Sequence, residues 1–96
     1  MKEERNKESG LIDKVAESFA EVDLGGIGIP VITVYRQPRD YPDKYVARVF
    51  DLKTPTNLVV LRDDLKDLQE DIREHTDMVF CLPEKEDDKV IMGTWI

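Results

Sequence analysis

An apolar strand passes directly into an amphipathic helix in the stretch Asn57-Leu58-Val59-Val60-Leu61-Arg62-Asp63-Asp64-Leu65-Lys66-Asp67-Leu68. The continuous apolar run at residues 58–61 is typical of a central strand that is buried on both faces. Asp63 is a preferred N-cap residue type, and Leu65, Leu68 and Ile72 follow it at helical spacing. The stretch therefore predicts a strand over residues 57–62 and a helix over residues 63–75.

A second apolar run, residues 78–82, follows the helix and predicts another strand. Strand, helix and strand together have the size of a minimal βαβ unit, which is right-handed if its two strands are parallel. The helix then covers one face of the sheet. The other face needs cover from residues 10–22 or from another subunit.

Two further strands precede this unit. Residues 31–35 are rich in β-branched side chains, and residues 45–52 form the next apolar-rich run. Two prolines and two aspartates in residues 38–43 favour a turn between them, so we expect an antiparallel hairpin. Residues 90–96 predict a last strand.

The N-terminal part divides into a polar tail and one short element. Residues 1–9 have no apolar side chain after Met1 and predict a disordered tail. Ser9 is an N-cap type, and four apolar residues then recur at helical spacing, which predicts a helix over 10–22. The alternative is a strand over residues 18–24.

The sequence as a whole predicts an α+β fold. We expect a single domain over residues 10–96, with a five-stranded mixed sheet, the element order (α)βββαββ and one or two helices. The helix and its flanking strands should meet in a core formed by Leu58, Val60, Leu65, Leu68, Ile72, Val79 and Phe80.

Charge is distributed unevenly along the 96 residues. Residues 1–30 carry four Lys or Arg and seven Asp or Glu, a net of −3; residues 31–62 carry six and three, a net of +3. Residues 63–96 carry four and eleven, a net of −7, which equals the net charge of the chain. This excess of acid disfavours binding to nucleic acid or to anionic lipid and favours basic partners.

Cysteine content and hydropathy predict a cytoplasmic protein. Cys81 is the only cysteine and lies in an apolar run, which predicts a buried, inert thiol in a reducing compartment. No apolar stretch approaches the roughly 20 residues of a membrane span. The first eight residues lack the apolar segment of a signal peptide.

Residue patterns typical of catalysis or cofactor binding are weak, so we expect no enzyme activity, no cofactor and no metal. His75 and Cys81 are single residues without a third group to orient them, and His75 suits the negative end of a helix. Pro30 and a strand follow Gly25-Gly26-Ile27-Gly28, where a phosphate loop needs a helix. The acidic residues 84–88 contain no glycine turn of the kind that calcium loops use.

Two surfaces remain as candidates for contact with another protein, or with a second copy of this one in a dimer. Tyrosine and arginine dominate many protein interfaces, and they cluster around the predicted hairpin at Tyr35, Arg36, Arg39, Tyr41 and Tyr45. The alternative is an acidic face that imitates nucleic acid, formed by Asp64, Asp67, Asp71, Glu74, Glu84, Glu86, Asp87 and Asp88.

The segments Ile29-Pro30-Val31-Ile32-Thr33-Val34-Tyr35 and Tyr41-Pro42-Asp43-Lys44-Tyr45-Val46-Ala47-Arg48-Val49-Phe50-Asp51 carry a resemblance. With Pro55-Thr56 and the end Asp87-Asp88-Lys89-Val90-Ile91-Met92-Gly93-Thr94-Trp95-Ile96, they resemble a group of small uncharacterised proteins from Gram-positive bacteria and their mobile elements. The likeness covers residues 29–96. It implies a bacterial accessory protein and no particular activity.

These features predict a non-enzymatic, cytoplasmic protein-binding module. The alternative is an acidic inhibitor that occupies the nucleic-acid groove of a defence or nucleic-acid-processing enzyme. A third class, a hydrolase that uses Asp or Glu side chains and His75, stays open. A contiguous carboxylate surface would favour the inhibitor, and an exposed aromatic patch would favour the binding module.

Overall fold

A computed structural model describes residues 12–85 and 88–96 of the chain. The predicted disordered tail, residues 1–9, lies outside these residues. Six strands and one α-helix make up the described part, together with two short 3₁₀ turns at Phe19–Glu21 and Leu24–Gly26. The elements are β1 (Lys14–Ala16), β2 (Pro30–Arg36), β3 (Tyr45–Asp51), β4 (Thr54–Arg62), α1 (Leu65–His75), β5 (Phe80–Cys81) and β6 (Ile91–Trp95).

The six strands form one mixed sheet in the order β1-β4-β3-β2-β6-β5. β1 pairs with β4 in parallel, and every other neighbouring pair is antiparallel. The predicted hairpin is confirmed, since β2 and β3 pair from Pro30 opposite Asp51 to Arg36 opposite Tyr45. The α+β class and the mixed sheet are therefore confirmed, but the predicted number of five strands is one too few.

The additional strand comes from the segment in which a helix was expected. In the described part of residues 10–22, the chain forms β1 and the turn Phe19–Glu21, so the helix prediction is wrong. The alternative, a strand over 18–24, is also wrong. Tertiary contacts outweigh the local helical pattern in this segment. β1 pairs with β4, and Ser18 and Phe19 both donate hydrogen bonds to Asp71 of α1.

Helix α1 ends at His75, as the sequence predicts, but it begins at Leu65, two residues later than expected. Asp64 is the N-cap and its side chain makes no capping hydrogen bond, while Asp63 pairs with Lys44 instead. The chain leaves α1 and crosses to the far edge of the sheet. β4 and β5 point the same way, but β3, β2 and β6 lie between them, so they do not form a minimal βαβ unit.

The main core lies between α1 and one face of the sheet, called here the helix face. Its buried side chains are Phe19, Ile32, Val34, Ala47, Val49, Val60, Leu68, Ile72 and Trp95. Of the predicted core, Val60, Leu68 and Ile72 are fully buried, and Leu58, Leu65 and Phe80 pack against them in part. Val79 is 65% exposed, so its predicted burial is wrong.

Gly93 allows β6 to pass close beside β5. Its φ is +153°, and a Cβ at this position would lie 2.3 Å from the Phe80 ring. The Phe80 and Trp95 ring centroids are 5.2 Å apart, and the Trp95 indole N–H donates to Gln69 Oε1 over 2.9 Å. The missing side chain of Gly93 therefore allows Phe80 to pack against Trp95 under the helix.

The opposite face of the sheet, called here the open face, has no helix in the described part. Strand alternation places Tyr35 of β2, Val46 and Arg48 of β3 and Val59 of β4 on this face. Val46 and Val59 are nevertheless buried. The prediction of a β4 strand buried on both faces holds at its centre, because neighbours Val59 and Val60 are both buried.

Candidate functional site

A cavity of about 220 Å³ opens at the turn end of the β2–β3 hairpin, on the open face of the sheet. We call it the tyrosine pocket, and its lining residues are Tyr35, Pro38, Asp40, Tyr41, Val46 and Arg48. Three of them come from the strands and three from the turn. The pocket therefore lies between the side chains that β2 and β3 present on the open face and the turn that folds over them.

The turn is held in place by its own backbone. The Gln37 N–H donates to the Lys44 carbonyl over 2.9 Å, and the Tyr41 N–H donates to the Pro38 carbonyl over 3.0 Å. Gln37 has a φ of +45°, a left-handed conformation that redirects the chain at the end of β2. Pro38 then fixes its own φ, which restricts the turn further. The turn thus presents Tyr41 to the pocket from a restrained backbone.

An ion pair joins Arg48, which lines the pocket, to Asp13, which lies beside it and is not a lining residue. Two guanidinium nitrogens of Arg48 donate to the two carboxylate oxygens of Asp13, over 2.8 and 2.9 Å. The side chains are only 16% and 15% exposed. Burial lowers the pKa of Arg48, but the hydrogen bonds and charge of Asp13 outweigh it and raise that pKa. Arg48 therefore stays protonated, and the negative charge of Asp13 balances its positive charge.

A strand irregularity supplies the second partner of Arg48. The register between β3 and β4 shifts between Arg48 and Phe50, so the ladder is interrupted near Thr56. The Thr56 carbonyl accepts a hydrogen bond from Arg48 over 2.9 Å, and the Thr56 hydroxyl donates to the Val49 carbonyl over 2.6 Å. The bulge thus provides a carbonyl that fixes the guanidinium beside Asp13.

Tyr41 of the turn also binds the Asp13 carboxylate. Its hydroxyl donates to Asp13 Oδ2 over 2.7 Å. Burial, then the hydrogen bond to Asp13 and its negative charge, raise the pKa of Tyr41 from 10.0 to about 12. Asp13 consequently binds Arg48 and Tyr41 together, and Tyr41 stays neutral at physiological pH.

Two polar groups in the pocket have no hydrogen-bond or ion-pair partner within residues 12–85 and 88–96. The Tyr35 hydroxyl makes no hydrogen bond there, and burial raises the pKa of this phenol. The Asp40 carboxylate makes neither a hydrogen bond nor an ion pair in the same part of the chain, and Asp40 is exposed. The pocket therefore offers one neutral phenol and one carboxylate to a ligand.

The structure brings together only part of the predicted hairpin contact set. Tyr35 and Tyr41 share the pocket, whereas Arg36 and Arg39 are exposed and do not line it. Tyr45 packs against the core on the helix face, because it is one residue out of phase with Val46. The tyrosines are thus divided between the two faces of the sheet.

The predicted acidic face is interrupted by internal partners. Asp71 is 10% exposed and accepts hydrogen bonds from the Ser18 hydroxyl and the Phe19 N–H, over 2.6 and 2.8 Å. The Arg62 guanidinium forms ion pairs with two acids of this face, at 3.4 Å from Nη2 to Asp71 Oδ1 and 3.6 Å from Nε to Asp67 Oδ2. The exposed members of the predicted face are Asp64, Asp67, Glu74, Glu84 and Asp88, whereas Glu86 and Asp87 fall outside the described residues.

His75 and Cys81 make no hydrogen bond or ion pair with each other in the part of the chain that the structure describes. The His75 Nδ1 lies 3.0 Å from the Asp71 carbonyl, one turn back on its own helix. Cys81 is half-buried on β5 rather than buried, with its Sγ 4.0 Å from the Val79 carbonyl. The prediction of full burial for Cys81 is therefore wrong, because β5 is an edge strand.

Among the described residues, no group of three His, Cys, Asp or Glu side chains is placed to hold a metal ion. The same part of the chain contains no helix that is both long and apolar enough to cross a membrane. The glycine segment forms the turn Leu24–Gly26, and β2 begins at Pro30 without an intervening helix.

Sequence reasoning did not assign Asp13, Pro38, Asp40, Val46 or Arg48 to the site. Arg48 does carry a signal, because it is a charged residue between two apolar residues of a predicted strand. Asp13 carries none, since it lies 35 residues from Arg48 and inside a segment predicted to be helical. Asp40 is unremarkable in sequence, because aspartate is common in turns.

Comparisons of the chain with protein-family models, with curated proteins and with solved structures give no match. The resemblance to small proteins of Gram-positive bacteria remains a prediction from sequence. Function is accordingly inferred from the geometry of the tyrosine pocket.

Proposed function

We propose that this protein is a non-enzymatic protein-binding module whose contact surface is the tyrosine pocket and the turn above it. The observation that carries the proposal is the cavity itself, with two tyrosines, a proline and a valine in its lining. Tyrosine provides large contact area at low entropic cost and keeps a polar hydroxyl, which suits protein recognition. A bacterial, cytoplasmic accessory role fits this activity.

Rigidity of the pocket supports a binding role. Asp13, Arg48 and Tyr41 fix one another by hydrogen bonds of 2.7–2.9 Å, and the Thr56 carbonyl holds Arg48 as well. A surface that is already ordered loses less conformational entropy on association. The partner therefore meets a largely preformed pocket.

Catalysis has less support than binding at this site. The tyrosines carry raised pKa values, so neither is a base near neutral pH. Arg48 is held by Asp13, and no nucleophilic cysteine, serine or lysine lines the pocket. A binding surface needs none of these groups.

The acidic-inhibitor alternative has no specific observation in its favour. Lys66 and Arg73 interrupt the acids of α1, and Asp71 is used to hold the turn at Phe19. A nucleic-acid mimic needs a row of carboxylates that are free to meet a basic groove. The helix instead has both signs of charge on its exposed surface.

Affinity capture from a bacterial lysate, followed by quantitative binding to the recovered protein, tests the proposal. Tyr41→Ala should weaken binding at least about fivefold, a loss of about 1 kcal/mol or more. Tyr41→Phe keeps the ring and should retain most of the affinity. Glu70→Lys on α1 should change mainly the association rate and its salt dependence.

The opposite pattern would overturn the proposal. If charge reversal at Asp67 or Glu74 abolishes binding while Tyr41→Ala has no effect, the acidic face is the contact surface. Thermal unfolding of each variant shows whether a loss of binding is a loss of folding.

A further inference from the structure

We propose that the tyrosine pocket receives an arginine side chain of the partner protein. This inference rests on the proposed function and specifies the chemistry of the partner. It starts from the two polar groups of the pocket that lack a partner within the described chain, the Asp40 carboxylate and the Tyr35 hydroxyl. A carboxylate and a phenol oxygen both accept hydrogen bonds, which is what a guanidinium needs.

The pocket's own cation does not compete for these acceptors. Arg48 uses two of its nitrogens on Asp13 and a third hydrogen bond on the Thr56 carbonyl. Its positive charge is matched by its ion-pair partner Asp13 beside the pocket. With Asp40 at the rim, the formal charges of Asp13, Arg48 and Asp40 leave one net negative charge.

The aromatic walls favour the same ligand. Tyr35 and Tyr41 are neutral, so their rings present a negative face to a cation without the cost of burying a charge. A guanidinium is planar and weakly hydrated, and it stacks on aromatic rings better than a compact ammonium does. Arginine therefore fits these walls better than lysine.

An anionic ligand is the competing possibility, since Arg48 retains N–H groups that its hydrogen bonds to Asp13 and Thr56 do not use. The negative charge of the pocket and that of the whole chain both disfavour an anionic ligand. Asp40 stands at the pocket, and the whole chain has a net charge of −7. Arg39 precedes Asp40, but it does not line the pocket and forms no ion pair with Asp40 among the described residues.

Nuclear magnetic resonance titration of the full chain tests the inference with capped tripeptides of the form Gly-X-Gly. X is arginine, its uncharged analogue citrulline, lysine or glutamate. We expect the arginine peptide to shift the ring resonances of Tyr35 and Tyr41 and the amide of Asp40. Citrulline and lysine peptides should bind at least about threefold more weakly, as expected for one partly exposed charge pair.

Two matched variants separate the pocket from the general acidity of the chain. Asp40→Asn should weaken binding of the arginine peptide at least about threefold. Asp43→Asn removes the same charge from an exposed residue of the same turn that does not line the pocket, and it should leave the affinity unchanged. A normal amide spectrum confirms that each variant is folded.

Several results would overturn the inference: equal binding of citrulline or lysine peptides, glutamate peptide binding at Tyr35 and Tyr41, or equal effects of the two variants. The absence of pocket shifts with every peptide would do the same. None of these results alters the partner-capture test, in which sensitivity to Tyr41→Ala still identifies the pocket as a protein-binding surface.

Discussion

Replacement of Asp13 by asparagine should destabilise the fold far more than the same change at an exposed ion pair. Asp13 accepts three hydrogen bonds that hold the pocket, two from Arg48 and one from Tyr41. In Asp13→Asn, the amide NH₂ group faces one of the donors, and Arg48 loses its counter-charge. The change therefore leaves a partly buried cation unpaired.

The size of the effect follows from burial. Breaking a fully buried ion pair costs about 3–5 kcal/mol. Asp13 and Arg48 are 15% and 16% exposed, so water recovers part of the loss. We expect Asp13→Asn to lower the free energy of unfolding by about 2–4 kcal/mol. Urea denaturation with an unchanged slope gives this number directly.

Lys44 and Asp63 provide the matched control. Their charged atoms lie 2.6 Å apart, closer than those of the Asp13–Arg48 pair, but the side chains are 40% and 81% exposed. Asp63→Asn should therefore cost less than about 1 kcal/mol. Losses for the two variants that agree within about 0.5 kcal/mol would refute the claim that burial gives the Asp13–Arg48 pair its strength.

A double-mutant cycle tests whether the cost belongs to the pair. Arg48→Met removes the cation and keeps an apolar side chain of similar length. Asp13→Asn combined with Arg48→Met should be less destabilised than the sum of the single variants, by about 1 kcal/mol or more. Strict additivity would show that Asp13 acts on the fold through other groups.

Three further outcomes are expected. Gly93→Ala should destabilise by at least about 2 kcal/mol in urea denaturation, because the added Cβ would lie 2.3 Å from the Phe80 ring at a φ of +153°. Leu52→Gly should stabilise by about 0.5 kcal/mol in the same assay, since Leu52 has a φ of +57° and is exposed. The pKa of Tyr41 is raised in the folded state, so its contribution to stability is complete below pH 10.0 and is lost as pH rises to about 12. The ultraviolet difference between the wild type and Tyr41→Phe should show this late tyrosinate titration, and a midpoint near 10.0 would contradict the hydrogen bond to Asp13.

The helix and the hairpin were predictable because each is determined within one continuous segment. Leu65, Leu68 and Ile72 repeat at helical spacing over about two turns, and α1 ends at His75 as predicted. The hairpin strands differ from the predicted ones by at most one residue at each end. In both cases local sequence and tertiary packing favour the same conformation.

The N-terminal segment was not predictable for the opposite reason. Val15 and Phe19 have helical spacing, but Val15 lies opposite Val59 in β1, and Phe19 enters the core from a 3₁₀ turn. That conformation depends on Asp71, which is 52 residues away from Phe19. A short apolar period cannot reveal such a partner, because strand and helix patterns coincide over a few residues.

The candidate site shows the same division. The tyrosines and the turn prolines were visible as an interface composition, but the two faces of the hairpin separate Tyr45 from Tyr35. The ion pair beside the pocket joins residues that are 35 positions apart. The parallel pairing of β1 with β4 brings Asp13 near Arg48.

This pairing connects the fold to the chemistry of the pocket. Without Asp13, the Arg48 guanidinium in the pocket lining would lack its counter-charge, and the pocket would present one cation beside the exposed Asp40. With Asp13 in place, the inner charge is cancelled and the Asp40 carboxylate determines the sign of the rim. An edge strand of three residues, β1, thus places Asp13 beside Arg48, which under the proposed arginine binding helps to set the charge that the pocket accepts. The electrostatic character of the proposed binding surface is therefore a property of the assembled sheet rather than of the hairpin alone.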